Sequence, residues 1–152
     1  MRRLIRALTR NRAWTDPESP DPRLRGREYP VPFTTVWNAA LETARGWPRW
    51  TVTQADARRG EIVAEARTAL WRFVDDVWIR ISLDELGQTR VDVSSQSRVG
   101  SGDLGVNARR IARFLHALDR RLQPDGRGKK SRKPFDAGWE GAEKRIDRKS
   151  VV

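Results

Sequence analysis

Two runs of this chain, Phe73 to Leu83 and Thr89 to Val99, carry side chains whose alternation admits one antiparallel pairing. Asp84 to Gln88, with Gly87 inside, supplies the turn between them. If Leu83 faces Thr89, then Ile81 faces Val91, Ile79 faces Val93 and Val77 faces Ser95 on one side. Arg80 then faces Asp92, and Trp78 faces Ser94, on the other. An apolar row opposes an apolar row, and an opposite-charge pair falls directly across the strands. A slip of one residue would exchange the two faces. A chain with this hairpin must build a sheet with one apolar face and cover it.

The flanking patterns supply the cover. Trp50 to Asp56 and Glu61 to Thr68 read as two further strands, with Arg59-Gly60 at their turn. Phe33-Thr34-Thr35 offers a hydroxyl cap ahead of Val36, Trp37, Ala40, Leu41 and Ala44, one apolar stripe of a helix that Gly46 and Pro48 end. After Gly100-Ser101-Gly102 a second helical stripe runs through Ile111, Phe114, Leu115, Leu118 and Leu122, with Asp103 as its expected N-cap. Arg109, Arg113, His116 and Arg120 form another stripe of that helix, read as a solvated basic face. The expected fold is a two-layer α+β domain over residues 29–122: a four-stranded antiparallel meander, an N-terminal and a C-terminal helix packed on one face, and the other face at least partly open.

Composition limits the rest. With 152 residues, 38% of them hydrophobic, the chain can close one modest core. The absence of cysteine excludes disulfides, thiolate metal sites and cysteine nucleophiles, and His116 is the single histidine. The net charge of +11 divides unevenly. Residues 1–27 hold 8 basic and 3 acidic groups, 28–122 hold 14 and 12, and 123–152 hold 9 and 5. The central domain is almost neutral, so flexible electrostatic contacts with nucleic acid or an anionic membrane surface fall to the tails, chiefly Arg127, Lys129, Lys130, Arg132 and Lys133. The tail from Gln123 onward is too polar to repay its ordering entropy, and disorder is expected there. Five prolines between Thr15 and Pro32 read as a linker laid over a surface, following a basic segment that begins at Met1. Arg6, Arg10 and Arg12 break the opening apolar residues, so neither a signal peptide nor a membrane span is expected, and the location reads as cytoplasmic or membrane-peripheral.

The hairpin register also builds a polar constellation. It sets Asp75 opposite Ser97, in the row that carries Val77, Ile79 and Ile81, where a buried carboxylate needs a cation or donors. Ser95, Ser97, Asn107 and Arg110 are the candidates, since the turn at Gly100 to Gly102 returns the second helix over the sheet and Asn107 and Arg110 share its inner stripe. Asp76 points to the other face, across from Gln96 and near Arg98, where Arg72 and Trp78 also project; these five form the candidate binding face. Adjacent aspartates alternating along a strand hold one metal only where an irregularity such as a bulge brings both carboxylates together, and on opposite faces they cannot flank one bond as an acid and base pair. Asp103 at the start of the second helix satisfies the donors that an anion would otherwise use.

The stretches Trp71-Arg72-Phe73-Val74-Asp75-Asp76-Val77 and Ser95 to Asn107, the latter followed by Arg110, resemble the signature of the domain of unknown function 1499 family, over roughly Tyr29 to Leu122. The resemblance implies a family and no reaction. It implies envelope-associated or plastid relatives, some with lipoprotein or membrane segments. The reading that follows is a non-enzymatic module without cofactor or metal, binding an unidentified ligand or protein through its open sheet face. The alternatives are binding of anionic partners through the tails, and an enzyme acting on an anionic substrate with Asp76, Arg72 and Arg98 around Trp78.

Overall fold

The computed structural model describes residues 12–70, 72–99, 104–122 and 129–130. In chain order it contains strands β1 (Arg12–Trp14) and β2 (Arg27–Tyr29), helix α1 (Phe33–Gly46), strands β3 (Trp50–Asp56), β4 (Glu61–Arg67), β5 (Val74–Leu83) and β6 (Thr89–Ser97), helix α2 (Leu104–Leu122), and a two-residue strand β7 (Lys129–Lys130). All pairings are antiparallel, in the order β3-β4-β5-β6-β2-β7, with β1 also on β6.

The β5–β6 register runs from Asp75 opposite Ser97 to Leu83 opposite Thr89, the pairing that the side-chain alternation predicts. Ile62, Ala64, Val77, Ile79, Ile81, Val91 and Val93 form the inner face, and all are buried. Val36, Trp37, Ala40 and Ala44 of α1 and Ile111, Phe114, Leu115 and Leu118 of α2 close over it in a single core. Trp50 stacks on Phe114, with ring centroids 5.7 Å apart and planes 11° from parallel. Burying aromatics and aliphatics of this size supplies most of the domain's stability, at roughly 1.5 to 3 kcal/mol per fully buried large side chain.

The sheet is larger than the expected four-stranded meander. The outer edge of β6 is occupied along its length by one interrupted strand. β1 lies along Ser94–Gln96, Thr15 N–H donates to the Val93 carbonyl at 2.8 Å, and β2 resumes along Thr89–Val91. Residues 16–26 leave this edge and return to it, closed by Asp16 N–H donating to the Leu24 carbonyl. The segment read as a linker therefore completes the sheet, and its prolines sit in the excursion and after β2. Lys129 and Lys130, expected in a disordered tail, pair by backbone with Glu28 and Arg27.

The junction is fixed around Asp92, which is 5% exposed. Its carboxylate accepts from Thr15 Oγ1 at 2.9 Å and from Arg90 Nε at 2.7 Å. A Cβ at Gly26 would stand 2.4 Å from Asp92 Oδ1, so only glycine lets the returning chain pass this close. At the β3–β4 turn Gly60 has φ +67, and a Cβ there would meet the Ile81 carbonyl. Helix α1 begins at Phe33, with Pro32 as N-cap and no side-chain cap bond; Thr34 and Thr35 lie inside the first turn and do not cap it.

Candidate functional site

Five of the six residues expected in the polar network meet between the sheet and α2. Arg110 Nη2 lies 2.7 Å from Asp75 Oδ2. Arg110 Nη1 donates to Ser95 Oγ at 3.0 Å and to Asn107 Oδ1 at 2.8 Å. Ser95 Oγ in turn donates to Asn107 Oδ1, and Asn107 Nδ2 donates to Ser97 Oγ, at 2.7 and 2.9 Å. A buried carboxylate is thus held by a charge-assisted bond, with neighbouring acceptors and donors satisfied in a chain. Asp103, the sixth, lies outside the described residues.

The candidate face on the other side of the sheet divides. Arg98 grips Asp76 with two bonds, Nε to Oδ2 at 2.9 Å and Nη2 to Oδ1 at 2.7 Å, and reaches Glu65 Oε1 at 2.8 Å. These carboxylates, Asp76 foremost, hold the Arg98 guanidinium protonated beyond its usual range. Gln96 is partly buried opposite Arg12 of β1. Trp78 lies on this face of the sheet but is only 7% exposed, in a row across four strands formed by Val63, Trp78, Ser94 and Trp14. The added strand β1 extends that row beyond Ser94, which an isolated hairpin would leave open. Arg72 is exposed, and its side chain takes no part in the Arg98 cluster. Arg127, Arg132 and Lys133, and the side chains of Lys129 and Lys130, lie outside the described residues.

A cavity of about 550 Å³ opens on the helix side of the sheet, at the end where β5 starts and β6 finishes. Its polar floor is Asp75, Ser97 and Arg110, and its apolar walls include Trp47, Trp50, Leu70, Phe73, Val99 and Val106. Arg49, Arg67, Arg109 and Arg113 stand around it. Against these four arginines and Arg110, the lining contains one carboxylate, Asp75, which Arg110 already neutralises. Arg49, Arg67 and Arg113 form no ion pair among the described residues.

The chain is bent to make this mouth. Arg49 and Arg72 hold left-handed backbone, with φ of 63° and 52°, a conformation that costs a non-glycine residue on the order of 1 kcal/mol or more. The Arg49 carbonyl accepts from Arg67 N–H at 2.9 Å, which brings the two arginines to the same end of β3 and β4. Thr68 and Phe73 exchange two bonds, Thr68 N–H to the Phe73 carbonyl and Phe73 N–H to Thr68 Oγ1, at 2.9 and 3.0 Å. Arg109 and Arg113, read from sequence as merely solvated, line the cavity from α2. The Trp47-Pro48-Arg49-Trp50 run was the one sequence signal of this wall, two indoles and a guanidinium brought together by a turn. Among the described residues no three His, Asp or Glu side chains converge in a geometry fit for a metal, and no helix is long and apolar enough to cross a membrane.

An antiparallel sheet with two helices on one face defines an α+β domain. The chain belongs to the family described as a protein of unknown function, DUF1499, whose model matches residues 7–118. That match takes in β1 and the excursion after it, ahead of the Tyr29 boundary that the motifs alone suggest. No curated protein matches the chain.

Proposed function

We propose that this domain binds an amphipathic anion in the cavity between Trp47–Trp50, Phe73 and α2. The observation that carries the reading is the charge of the lining: five arginines and one already paired aspartate in a wall that is otherwise apolar but for Thr68 and Ser97. Guanidinium groups placed beside aromatic and aliphatic surface suit a carboxylate, sulfate or phosphate head joined to an apolar body. The volume falls within the range of small-molecule sites, about 300 to 1,000 Å³. The sheet face of Asp76, Gln96 and Arg98 offers a ligand less, because Arg98 is already committed to two carboxylates and Trp78 is buried. The lining residues include neither a histidine nor a cysteine, and the one carboxylate is held by Arg110, which favours binding over catalysis.

Titration of the full chain with decanoate and with decyltrimethylammonium, followed by tryptophan fluorescence, tests this. Decanoate should change the emission of Trp47 and Trp50 saturably, and the cation of equal chain length should not. Arg113→Ala and Arg49→Ala should each weaken decanoate by roughly tenfold, the scale of one charge-assisted bond. Equal response to both amphiphiles, or arginine variants that bind as the parent does, would overturn the reading.

A further inference from the structure

We infer that the mouth of this cavity is a docking surface for an anionic lipid bilayer, with Leu70 and Phe73 as the inserting side chains. The inference rests on the reading of the cavity as a ligand site, and it names where the ligand would be exchanged. Among the described residues five large hydrophobic side chains are exposed, and three of them, Leu70 at 80%, Phe73 at 47% and Val99 at 47%, stand together on this rim. The other two, Leu83 and Leu86, lie at the β5–β6 turn, about 30 Å away at the opposite end of a ten-residue strand.

Exposed apolar side chains grouped on one rim mark an interaction surface rather than scatter. The charges around them select the partner. Arg67, Arg72, Arg49 and Arg113 are exposed beside Leu70 and Phe73, and the one acidic side chain of the lining, Asp75, is buried against Arg110. Apolar side chains projecting from within a ring of arginines match an anionic headgroup layer over a hydrocarbon interior, and indoles such as Trp47 and Trp50 favour that interface. Docked in this way, the cavity mouth would open onto the acyl boundary, where an amphipathic anion could enter without crossing water.

The chain has no cysteine, so Leu70→Cys and Leu86→Cys each place a single nitrobenzoxadiazole probe on the full chain. With phosphatidylcholine vesicles containing phosphatidylglycerol, the probe at position 70 should shift to the blue and brighten several-fold, and the probe at 86 should not change. Vesicles of phosphatidylcholine alone should give little response. Leu70→Ser combined with Phe73→Ser should lower partitioning by roughly a hundredfold or more, as expected for removing two inserted apolar side chains, with an unchanged melt because both positions are exposed. No shift at 70, or equal shifts at 70 and 86 as binding through the tails alone would give, overturns the inference. A shift at 70 that grows with protein concentration in the absence of vesicles would assign the rim to contact between copies of the chain, and also overturns it. Decanoate binding without vesicles is the separate measure of the cavity: its loss with docking retained removes the ligand reading alone, and the converse removes docking alone.

Discussion

Arg110 and Asp75 meet at 2.7 Å with side chains only 11% and 3% exposed, so one ion pair joins α2 to the inner face of β5 almost out of reach of water. The pair also forms the floor of the cavity. Its strength depends on Ser95 and Asn107, which satisfy the second guanidinium nitrogen and leave no donor stranded.

Removing one side of such a pair leaves the other charge buried. Asp75→Ala should lower unfolding free energy by roughly 3 to 5 kcal/mol, and Arg110→Ala by a similar amount. The double variant should cost less than the sum of the two, because each single variant already contains the penalty of the orphan. Urea denaturation of the four proteins measures this, and melts of both single variants within a degree of the parent would show that the pair does not hold the helix to the sheet.

The two glycines at 26 and 46 predict opposite outcomes. Gly26→Ala forces a methyl group against Asp92 Oδ1, 2.4 Å away, while Thr15 and Arg90 keep that carboxylate from moving aside. Gly46, the last residue of α1, has nothing within 4 Å of its would-be Cβ and no positive φ. Gly26→Ala should destabilise by about 1 to 3 kcal/mol, and Gly46→Ala should be neutral or stabilising by about 0.4 to 1 kcal/mol. Thermal melts of both variants, read side by side, decide whether the clasp at Asp92 is as tight as its geometry.

A chain that begins at residue 28 loses β1, Thr15, Gly26 and Arg27. It thereby exposes the β6 edge, leaves Asp92 without one of its donors and frees Asp119 from its Arg27 ion pair. Such a chain should unfold at least ten degrees below the full chain or fail to fold, on the order of what losing several buried contacts costs a domain of this size. A melt equal to the parent's would return residues 12–27 to the status of a linker.

Tyr29, the single tyrosine, gives the domain an alkaline limit. It is fully buried, and burial, followed by the Asp119 carboxylate that accepts its hydroxyl at 2.6 Å, pushes its ionisation well above the ordinary 10.0. The folded protein keeps the phenolic proton at a pH where the unfolded chain releases it. Stability from this group is therefore fully present below pH 10 and declines as pH rises past it, by up to about 1.4 kcal/mol per unit. Denaturation midpoints from neutral to strongly alkaline pH should show this fall in the parent, and Tyr29→Phe should make the slope shallower.

The β5–β6 register was legible because both faces of the hairpin carry complementary rows, and once it is set, Asp75 is fixed among apolar neighbours within reach of Arg110. The edge formed by β1 and β2 was not, because two three-residue strands separated by a proline-rich excursion are too short to display a period of two. The row that holds the buried Trp78 ends at Trp14 of that same unseen strand. The cavity escaped for a different reason: its mouth is shaped by left-handed backbone at Arg49 and Arg72, which arginine rarely adopts and no pattern announces, and Arg109 and Arg113 have the spacing of an ordinary solvated helix face.

The interrupted edge strand also dictates an order of assembly. Residues 12–15 and 27–29 leave the ribosome well before the strand they pair with, Thr89–Ser97, whose partner positions are made some sixty to eighty residues later. Until then the first-made segment has no partner in the sheet, and β5 has no neighbour on that side. Contacts so distant in sequence close late and slow the search for the native state, and an unpaired strand edge invites pairing between nascent chains. Pro17, Pro20 and Pro22 in the excursion lack the N–H that a continuous strand would need, so residues 12–29 cannot offer one long unbroken edge, and the finished sheet carries a gap between two short strands.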